Sequence, residues 1–339
     1  MITATAAEIE RMPPARAWTH TTFDDQALAA LGPLTTVITT GPARDNEWFA
    51  AVATCDALIL DGVTLMDGAA MDRIGPRLRI VARTGIGIDQ ISVGDATERG
   101  IMVINTPDGP TESTAEHAIA LMLNLTKRVG ISDRVLHSGQ GWRLPLHGLE
   151  ALGATLGLVG LGRIGGRVAE IARALGMRVL AFDPLVSPAR AAALGVELTD
   201  SLDQLLASAD VVSLHCPAIP ETYRLIDATA LAKMRPGSYL INVARGAVVD
   251  EDALVNALRS GHLAGAGIDV FDSEPARADH PLFSLPNAVC TPHIASYTAA
   301  SVLRMQVMAC EQVAAALRGQ RPSELVNREV WERRRRSNS

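Results

Sequence analysis

Leu156-Gly157-Leu158-Val159-Gly160-Leu161-Gly162-Arg163-Ile164-Gly165 is the stretch on which the fold turns. It holds a G-x-G-x-x-G pattern at Gly160, Gly162 and Gly165. The pattern is weak alone, but here an apolar run precedes it and a helical one follows. Downstream, Ile164, Val168, Ile171 and Leu175 recur at helical spacing, and Gly176 stops the segment. Each glycine has a physical task. Gly160 permits a tight turn, Gly162 lets the backbone approach a pyrophosphate, and Gly165 allows close helix–strand packing. The helix N-terminus then offers N–H groups and a positive dipole end to phosphate.

The pattern spreads outward in both directions. With Thr155–Val159 as the first strand, further strands are expected at Arg178–Phe182, Val211–His215, Tyr239–Val243, Ala264–Asp269 and Ala288–Thr291. Six strands separated by helices make a doubly wound Rossmann sheet. Asp183 ends the second strand, 18 residues beyond Gly165. A carboxylate there accepts hydrogen bonds from ribose hydroxyls and repels a 2′-phosphate, which favours NAD over NADP. Upstream, short apolar runs at Thr36–Thr39, Ala57–Leu60, Arg79–Ala82 and Met102–Asn105 read as buried parallel strands. Helical patterns at Asn46–Thr54 and Met66–Ile74 lie between them. A long helix starts at Thr111, an irregular arm covers Ser138 to Gly153, and a last helix, Ser301–Leu317, returns the chain to the first unit.

Composition narrows the function. The 339 residues are 48% apolar, and 31 basic against 37 acidic residues give a net charge of -6. That disfavours a nucleic-acid binder, which needs a broad basic face. No apolar run approaches the ~18 residues of a membrane span, and the N-terminus lacks a secretory pattern. Cys55, Cys216, Cys290 and Cys310 are scattered and form no C-x-x-C pair, so no metal site is expected and free thiols in the cytoplasm are. Arg333 to Arg336 read as a frayed, solvated tail.

Three motifs stand at expected strand ends, where ligands of open α/β sheets bind. They are Ile241-Asn242-Val243-Ala244-Arg245-Gly246, Ile268-Asp269-Val270-Phe271-Asp272-Ser273-Glu274-Pro275 and Thr291-Pro292-His293-Ile294-Ala295-Ser296. Each charged residue alone has a plainer reading: Arg245 as a surface ion-pair residue, Glu274 as a solvated acid, His293 as a loop cap. Together, behind a dinucleotide fingerprint, they read as a catalytic constellation.

With these motifs the sequence resembles the NAD-dependent D-isomer-specific 2-hydroxyacid dehydrogenases. Asn105-Thr106-Pro107, Ala115-Glu116-His117-Ala118 and His215-Cys216-Pro217 add to the resemblance, which runs from about Ala57 to Val326. Arg83-Thr84-Gly85-Ile86-Gly87-Ile88-Asp89 is most similar to the 3-phosphoglycerate dehydrogenase branch. The resemblance implies a Rossmann cofactor domain over 109–296 and a smaller flavodoxin-like substrate domain over 1–108 plus 297–339, with the active site in the cleft. It implies that Arg245 clamps the substrate carboxylate, that His293 is the acid–base and that Glu274 orients it. Arg83, Thr84, Gly85, Ile86 and Gly87 would bind substrate. Thr114, Gly160, Gly162, Arg163, Ile164, Gly165, Asp183, His215, Cys216, Pro217, Val243, Ala244, Asp269 and Ala295 would line the cofactor, with Asp269 near the nicotinamide carboxamide. Trp142, in the arm, would pack a homodimer.

The implied activity is hydride transfer between NAD(H) and C2 of a small 2-hydroxy or 2-oxo acid. Formate dehydrogenases lack the acid–base glutamate, so Glu274 argues against them. An NAD-sensing corepressor on the same fold is the alternative of a different class. One departure concerns substrate. Where the phosphoglycerate branch usually carries an Arg after its second strand, this chain has Leu60-Asp61-Gly62-Val63-Thr64. An acid there repels a phosphate dianion. The short segment beyond Val326 implies no appended regulatory domain.

Overall fold

Short strands that are apolar on both faces need cover on both sides, and this chain builds two parallel sheets covered in that way. The computed structural model describes residues 15–20, 23–33, 35–40, 45–62, 64–139 and 147–335. The chain divides into two units, Met1–Pro110 with Thr298–Ser339, and Thr111–Tyr297.

In the first unit, β1 (Ala15–His20), β2 (Thr35–Thr40), β3 (Ala57–Leu60), β4 (Ile80–Arg83) and β5 (Met102–Ile104) form a parallel sheet in the order β2-β1-β3-β4-β5. This is the flavodoxin-like order. Leu58, Ile59 and Leu60 are wholly buried, each contributing about 1.5–3 kcal/mol from burial. Trp48, Phe49, Val52 and Met71 cover one face. Ala309, Cys310 and Val313, from the helix Ala299–Leu317, cover the other. The sequence pattern predicts no strand at Ala15–His20. Arg16, Thr19 and His20 break up its apolar run, yet it lies inside the sheet between β2 and β3, and Ala17, Trp18 and Thr19 are buried.

The C-terminal segment corrects another expectation. Leu325 forms an antiparallel bridge to Ile104. The buried Asn327 accepts from the Val103 N–H and donates to Thr97 Oγ1 and the Ile101 carbonyl. Arg335 donates to the carbonyls of Arg99, Gly75 and Leu78 at 2.7, 3.0 and 2.9 Å. This part of the basic run is therefore docked rather than frayed, because its guanidinium satisfies three carbonyls of neighbouring turns. Arg336 lies outside the described residues, as do Trp142 and Val63.

In the second unit, β6 (Thr155–Val159), β7 (Arg178–Phe182), β8 (Glu197–Leu198), β9 (Val211–Leu214), β10 (Ser238–Asn242), β11 (Leu263–Ile268) and β12 (Ala288–Cys290) are parallel, in the order β12-β11-β10-β9-β6-β7-β8. Order reverses between β6 and β9, which makes the Rossmann switch point at their carboxyl ends. The exposed two-residue edge strand β8 is not predicted by the pattern, since Glu197-Leu198 carries no apolar run. Strands β9 to β12 each end one residue earlier than the sequence suggests. His215, Val243, Asp269 and Thr291 thus fall in the turns at the carboxyl edge. Among the described residues, no helix is long and apolar enough to cross a membrane.

Candidate active site

The turn after β6 shows why its three glycines differ. Gly160 has φ +96°, and a Cβ there would lie 2.9 Å from the His215 carbonyl carbon. At Gly165 a Cβ would meet the Gly160 oxygen at 2.3 Å. At Gly162 a Cβ would meet nothing within 4 Å, and no side chain caps the helix Arg163–Ala174 that starts there. Two glycines therefore close the turn, and the third leaves open space over an uncapped helix N-terminus. That space suits a pyrophosphate. Asp183 is tied to the same turn: its Oδ2 accepts from the Leu161 N–H at 2.8 Å and its Oδ1 from the Leu185 N–H at 2.9 Å. Each oxygen keeps a further lone pair for a ribose hydroxyl. Across the switch point, His215 Nε2 meets Ser213 Oγ at 2.9 Å. Burial pushes this imidazole down to about 3, so it is neutral. Burial also pushes the Cys216 thiol up to about 11. Both side chains are therefore uncharged at neutral pH.

Arg245, Glu274 and His293 arise from the turns after β10, β11 and β12, three adjacent strands. His293 Nδ1 lies 2.7 Å from Glu274 Oε2. Glu274 Oε1 accepts from the Phe271 N–H at 3.0 Å. Partial burial pushes the Glu274 carboxyl up. The hydrogen bonds from His293 and Phe271 and the charges of His293 and Arg245 outweigh this and hold it below the usual carboxylate range. An ionised carboxylate only accepts, so Nδ1 carries the proton. Arg245 is held by the buried Asn242, whose Nδ2 donates to the Arg245 carbonyl at 2.9 Å and whose Oδ1 accepts from the Ala244 N–H at 3.0 Å. The next residue must be glycine, because a Cβ on Gly246 would lie 1.9 Å from the Phe271 carbonyl carbon. This contact presses the Arg245 turn against the Glu274 turn.

His293 itself sits at φ +54°, an unfavourable region for a residue with a Cβ. The wholly buried Asp269 holds it there. Its carbonyl accepts from the His293 N–H at 2.8 Å. Its Oδ1 accepts from Thr291 Oγ1 at 2.6 Å and the Ile294 N–H at 2.9 Å, and its Oδ2 from the Ala295 N–H at 2.9 Å. Burial pushes this carboxyl up, but these donors and His117 keep it low.

The family model described as "D-isomer specific 2-hydroxyacid dehydrogenase, NAD binding domain" matches residues 119–295. The chain belongs to this family. Residues 119–295 are thus its NAD-binding domain. The chain is 46% identical over 287 residues to the D-3-phosphoglycerate dehydrogenase of Mycobacterium bovis, covering 85% of this chain and 54% of the relative. It therefore spans about half the length of that relative. It is 43% identical over 284 residues to the glyoxylate reductase of Korarchaeum cryptofilum, covering 82% of this chain and 85% of the relative. A crystal structure of a Thermus thermophilus protein superposes with TM-score 0.83 at 40% identity, covering 92% of this chain and 99% of the other.

In this 2-hydroxyacid dehydrogenase family member, the Arg83–Gly87 turn of the first unit divides into two parts. The Thr84 N–H donates to the Leu60 carbonyl at 3.0 Å, and the Gly85 N–H to Thr106 Oγ1 at 2.7 Å. These two donors hold the turn on the sheet. Among the described residues, the Ile86 and Gly87 N–H groups have no such partner. The Arg83 guanidinium rests on the turn after β3, 3.0 Å from where a Gly62 Cβ would be.

The remaining residues of the expected site have plainer surroundings. Thr114, Val243, Ala244 and Ala295 are all buried. The Ala295 N–H and carbonyl are both engaged, by Asp269 and by Ser113 Oγ at 2.7 Å. Asp269, expected beside the nicotinamide carboxamide, is seen here organising the His293 turn. Sequence reasoning gives no role to Ser113, Thr291 or His117. Yet Thr291 Oγ1 gives its proton to Asp269 and accepts from His117 Nε2 at 3.0 Å. The sequence signal is present in Ala115-Glu116-His117-Ala118, a histidine on the inward face of a helix.

Proposed function

We propose that this protein is an NAD-dependent dehydrogenase that moves a hydride between NAD(H) and C2 of a small D-2-hydroxy or 2-oxo acid. The observation that carries the reading is the 2.7 Å His293–Glu274 contact within the electrostatic reach of Arg245. When bound, NAD(H) supplies hydride chemistry at its nicotinamide ring. His293 does the proton work at Nε2. It gives that proton to the carbonyl oxygen of a 2-oxo acid in reduction and takes it from the hydroxyl in oxidation. Glu274 keeps Nδ1 protonated and orients the ring. Arg245, with its planar fork of donors, binds the substrate carboxylate. Within the first unit, the Ile86 and Gly87 N–H groups form a donor pair suited to a small anion. The Gly160–Gly165 turn takes the pyrophosphate, and Asp183 takes the ribose hydroxyls of NAD.

The substrate class follows from charge. Asp61 stands one residue beyond the Leu60↔Arg83 pair of β3 and β4. Its carboxylate offsets Arg83 and weakens the site for a phosphate dianion. A small monoanionic 2-oxo acid such as glyoxylate or hydroxypyruvate fits better. The four free thiols suit a cytoplasmic protein. A homodimer is supported by the helix Val129–His137, which buries none of its residues and exposes Val129 and Leu136 by more than half.

The test is a reduction screen with NADH against glyoxylate, hydroxypyruvate, phenylpyruvate and 3-phosphohydroxypyruvate. Turnover of the small unphosphorylated acids with the lowest KM supports the reading. NADH binding without turnover of any of them would refute it and favour a binding protein.

A further inference from the structure

Glu274 does its work from a loop with no regular structure, between β11 and the turn Pro281–Ser284. Something must fix that loop, because a misplacement of about 1 Å at an acid–base pair is worth roughly a hundredfold in rate. Glu251 opens the helix Glu251–Arg259, whose first turn follows the Arg245 turn in sequence. Its two oxygens hold the two ends of the loop. Oε1 accepts from the Asp272 N–H at 2.9 Å, and Oε2 lies 3.1 Å from His280 Nε2. The His280 proton is placed by its other nitrogen. Nδ1 accepts from the Leu282 N–H at 3.3 Å, so Nε2 carries the hydrogen and donates to Glu251. The His280 ring packs edge-on to Phe271 at 5.3 Å and beside Phe283 at 5.3 Å. Phe271 is the residue whose N–H holds Glu274 Oε1. Its backbone is also what Gly246 presses upon. Glu251 and His280 are both mostly buried, at 22% and 14% side-chain exposure, so their hydrogen bond is shielded from water.

We propose that Glu251 and His280 form a positioning couple, a bracket that sets the Glu274 carboxylate on His293 Nδ1. Neither touches the reacting atoms. Both act through the Phe271–Glu274 turn. The inference rests on the acid–base reading of His293 and Glu274. The geometry of Glu251→Gln is instructive. Its amide oxygen can keep the Asp272 N–H, but its NH2 then faces the His280 Nε2–H. Moving the imidazole proton to Nδ1 only transfers the clash to the Leu282 N–H. One donor is opposed either way.

The test is a double-mutant cycle on kcat for 2-oxo acid reduction, with Glu251→Gln and Glu251→Ala made in the wild-type and Glu274→Gln backgrounds. Expected is a kcat loss of about tenfold or more in the wild-type background, KM for NADH within about twofold, and a loss below about twofold in the Glu274→Gln background. Equal losses in both backgrounds would overturn the proposal, as would an unchanged kcat in Glu251→Ala. A second readout needs neither turnover nor cofactor. The ring-nitrogen chemical shifts of His293, which report the nitrogen bearing the proton, should change in Glu251→Gln toward those of Glu274→Gln. Shifts identical to wild type would refute the bracket. A wild-type chain that turns over no 2-oxo acid would fail the functional reading, while the nitrogen shifts would still decide whether Glu251 positions Glu274.

Discussion

Asp269→Asn changes one atom in a buried carboxylate, and its consequences can be worked out from the four groups around it. Oδ1 receives Thr291 Oγ1 and the Ile294 N–H, with His117 Nε2 at 3.4 Å, and Oδ2 receives the Ala295 N–H. All are donors. An asparagine keeps most of them by leaving its oxygen at the Oδ1 position, so its NH2 faces the Ala295 N–H. Two buried donors then oppose each other, which costs about 1–3 kcal/mol. The other bonds lose their charge-assisted part, about 1 kcal/mol more. A total of about 3 kcal/mol lowers the melting temperature by roughly 6–12 °C for a unit of this size.

The same change releases the turn that keeps His293 at φ +54°. The strain of that conformation, of order 1–3 kcal/mol, then relaxes, and the imidazole leaves its working position. The expected result is a kcat loss of at least about tenfold with KM for NADH little changed.

The pH dependence has a definite sign. The folded Asp269 carboxyl lies below its usual value. Its stabilising contribution is therefore complete above the unfolded pKa, about 3.9, and is lost as pH falls toward the folded pKa. The stability gap between wild type and Asp269→Asn should be full at neutral pH and shrink below about pH 4. Thermal unfolding across a pH series, with steady-state reduction at neutral pH, measures both effects. A melting temperature within about 2 °C of wild type, or a gap that does not narrow in acid, would refute this account of the turn.

Other substitutions probe the rest of the site. His293→Ala should lower kcat by about a hundredfold or more, the usual scale for losing a general acid–base; near-normal turnover would remove His293 from its role. Asp183→Ala should reduce the preference for NADH over NADPH in paired kcat/KM measurements, since the repulsion of a 2′-phosphate goes with the carboxylate; unchanged discrimination would count against the ribose assignment. Gly165→Ala sets a Cβ 2.3 Å from the Gly160 oxygen. Calorimetry should find NADH affinity at least about tenfold weaker, and wild-type affinity would show that the turn does not hold the pyrophosphate.

What could be read from sequence and what could not divide along a physical line. The cofactor sheet was legible because Leu156-Gly157-Leu158-Val159 is a buried run ending in glycines whose steric tasks are local. Arg245, Glu274 and His293 were legible because each sits just past such a run. β1 was not, because its burial comes from neighbours on both sides, β2 and β3, and from the helix Ala299–Leu317, none of which its own six residues announce. The basic tail failed in the opposite sense: four arginines look solvated, yet Arg335 finds three carbonyls from turns more than two hundred residues earlier.

The supporting residues of the site share this property. Ser113 reaches the Ala295 carbonyl across 182 positions, His117 reaches Thr291 across 174, and His280 reaches Glu251 across 29. Asp269 directly follows a strand and Glu251 opens a helix, yet nothing in their local sequence separates them from Asp272, which is exposed and gives its backbone N–H to Glu251. A residue that touches substrate is constrained by its own chemistry, so its type and position betray it. A residue that holds another in place is constrained by where its partner comes to lie, and that is decided only when the strands have assembled. The chemistry of this site is therefore written in three short motifs, while the precision of the site depends on pairings that exist only in the folded chain.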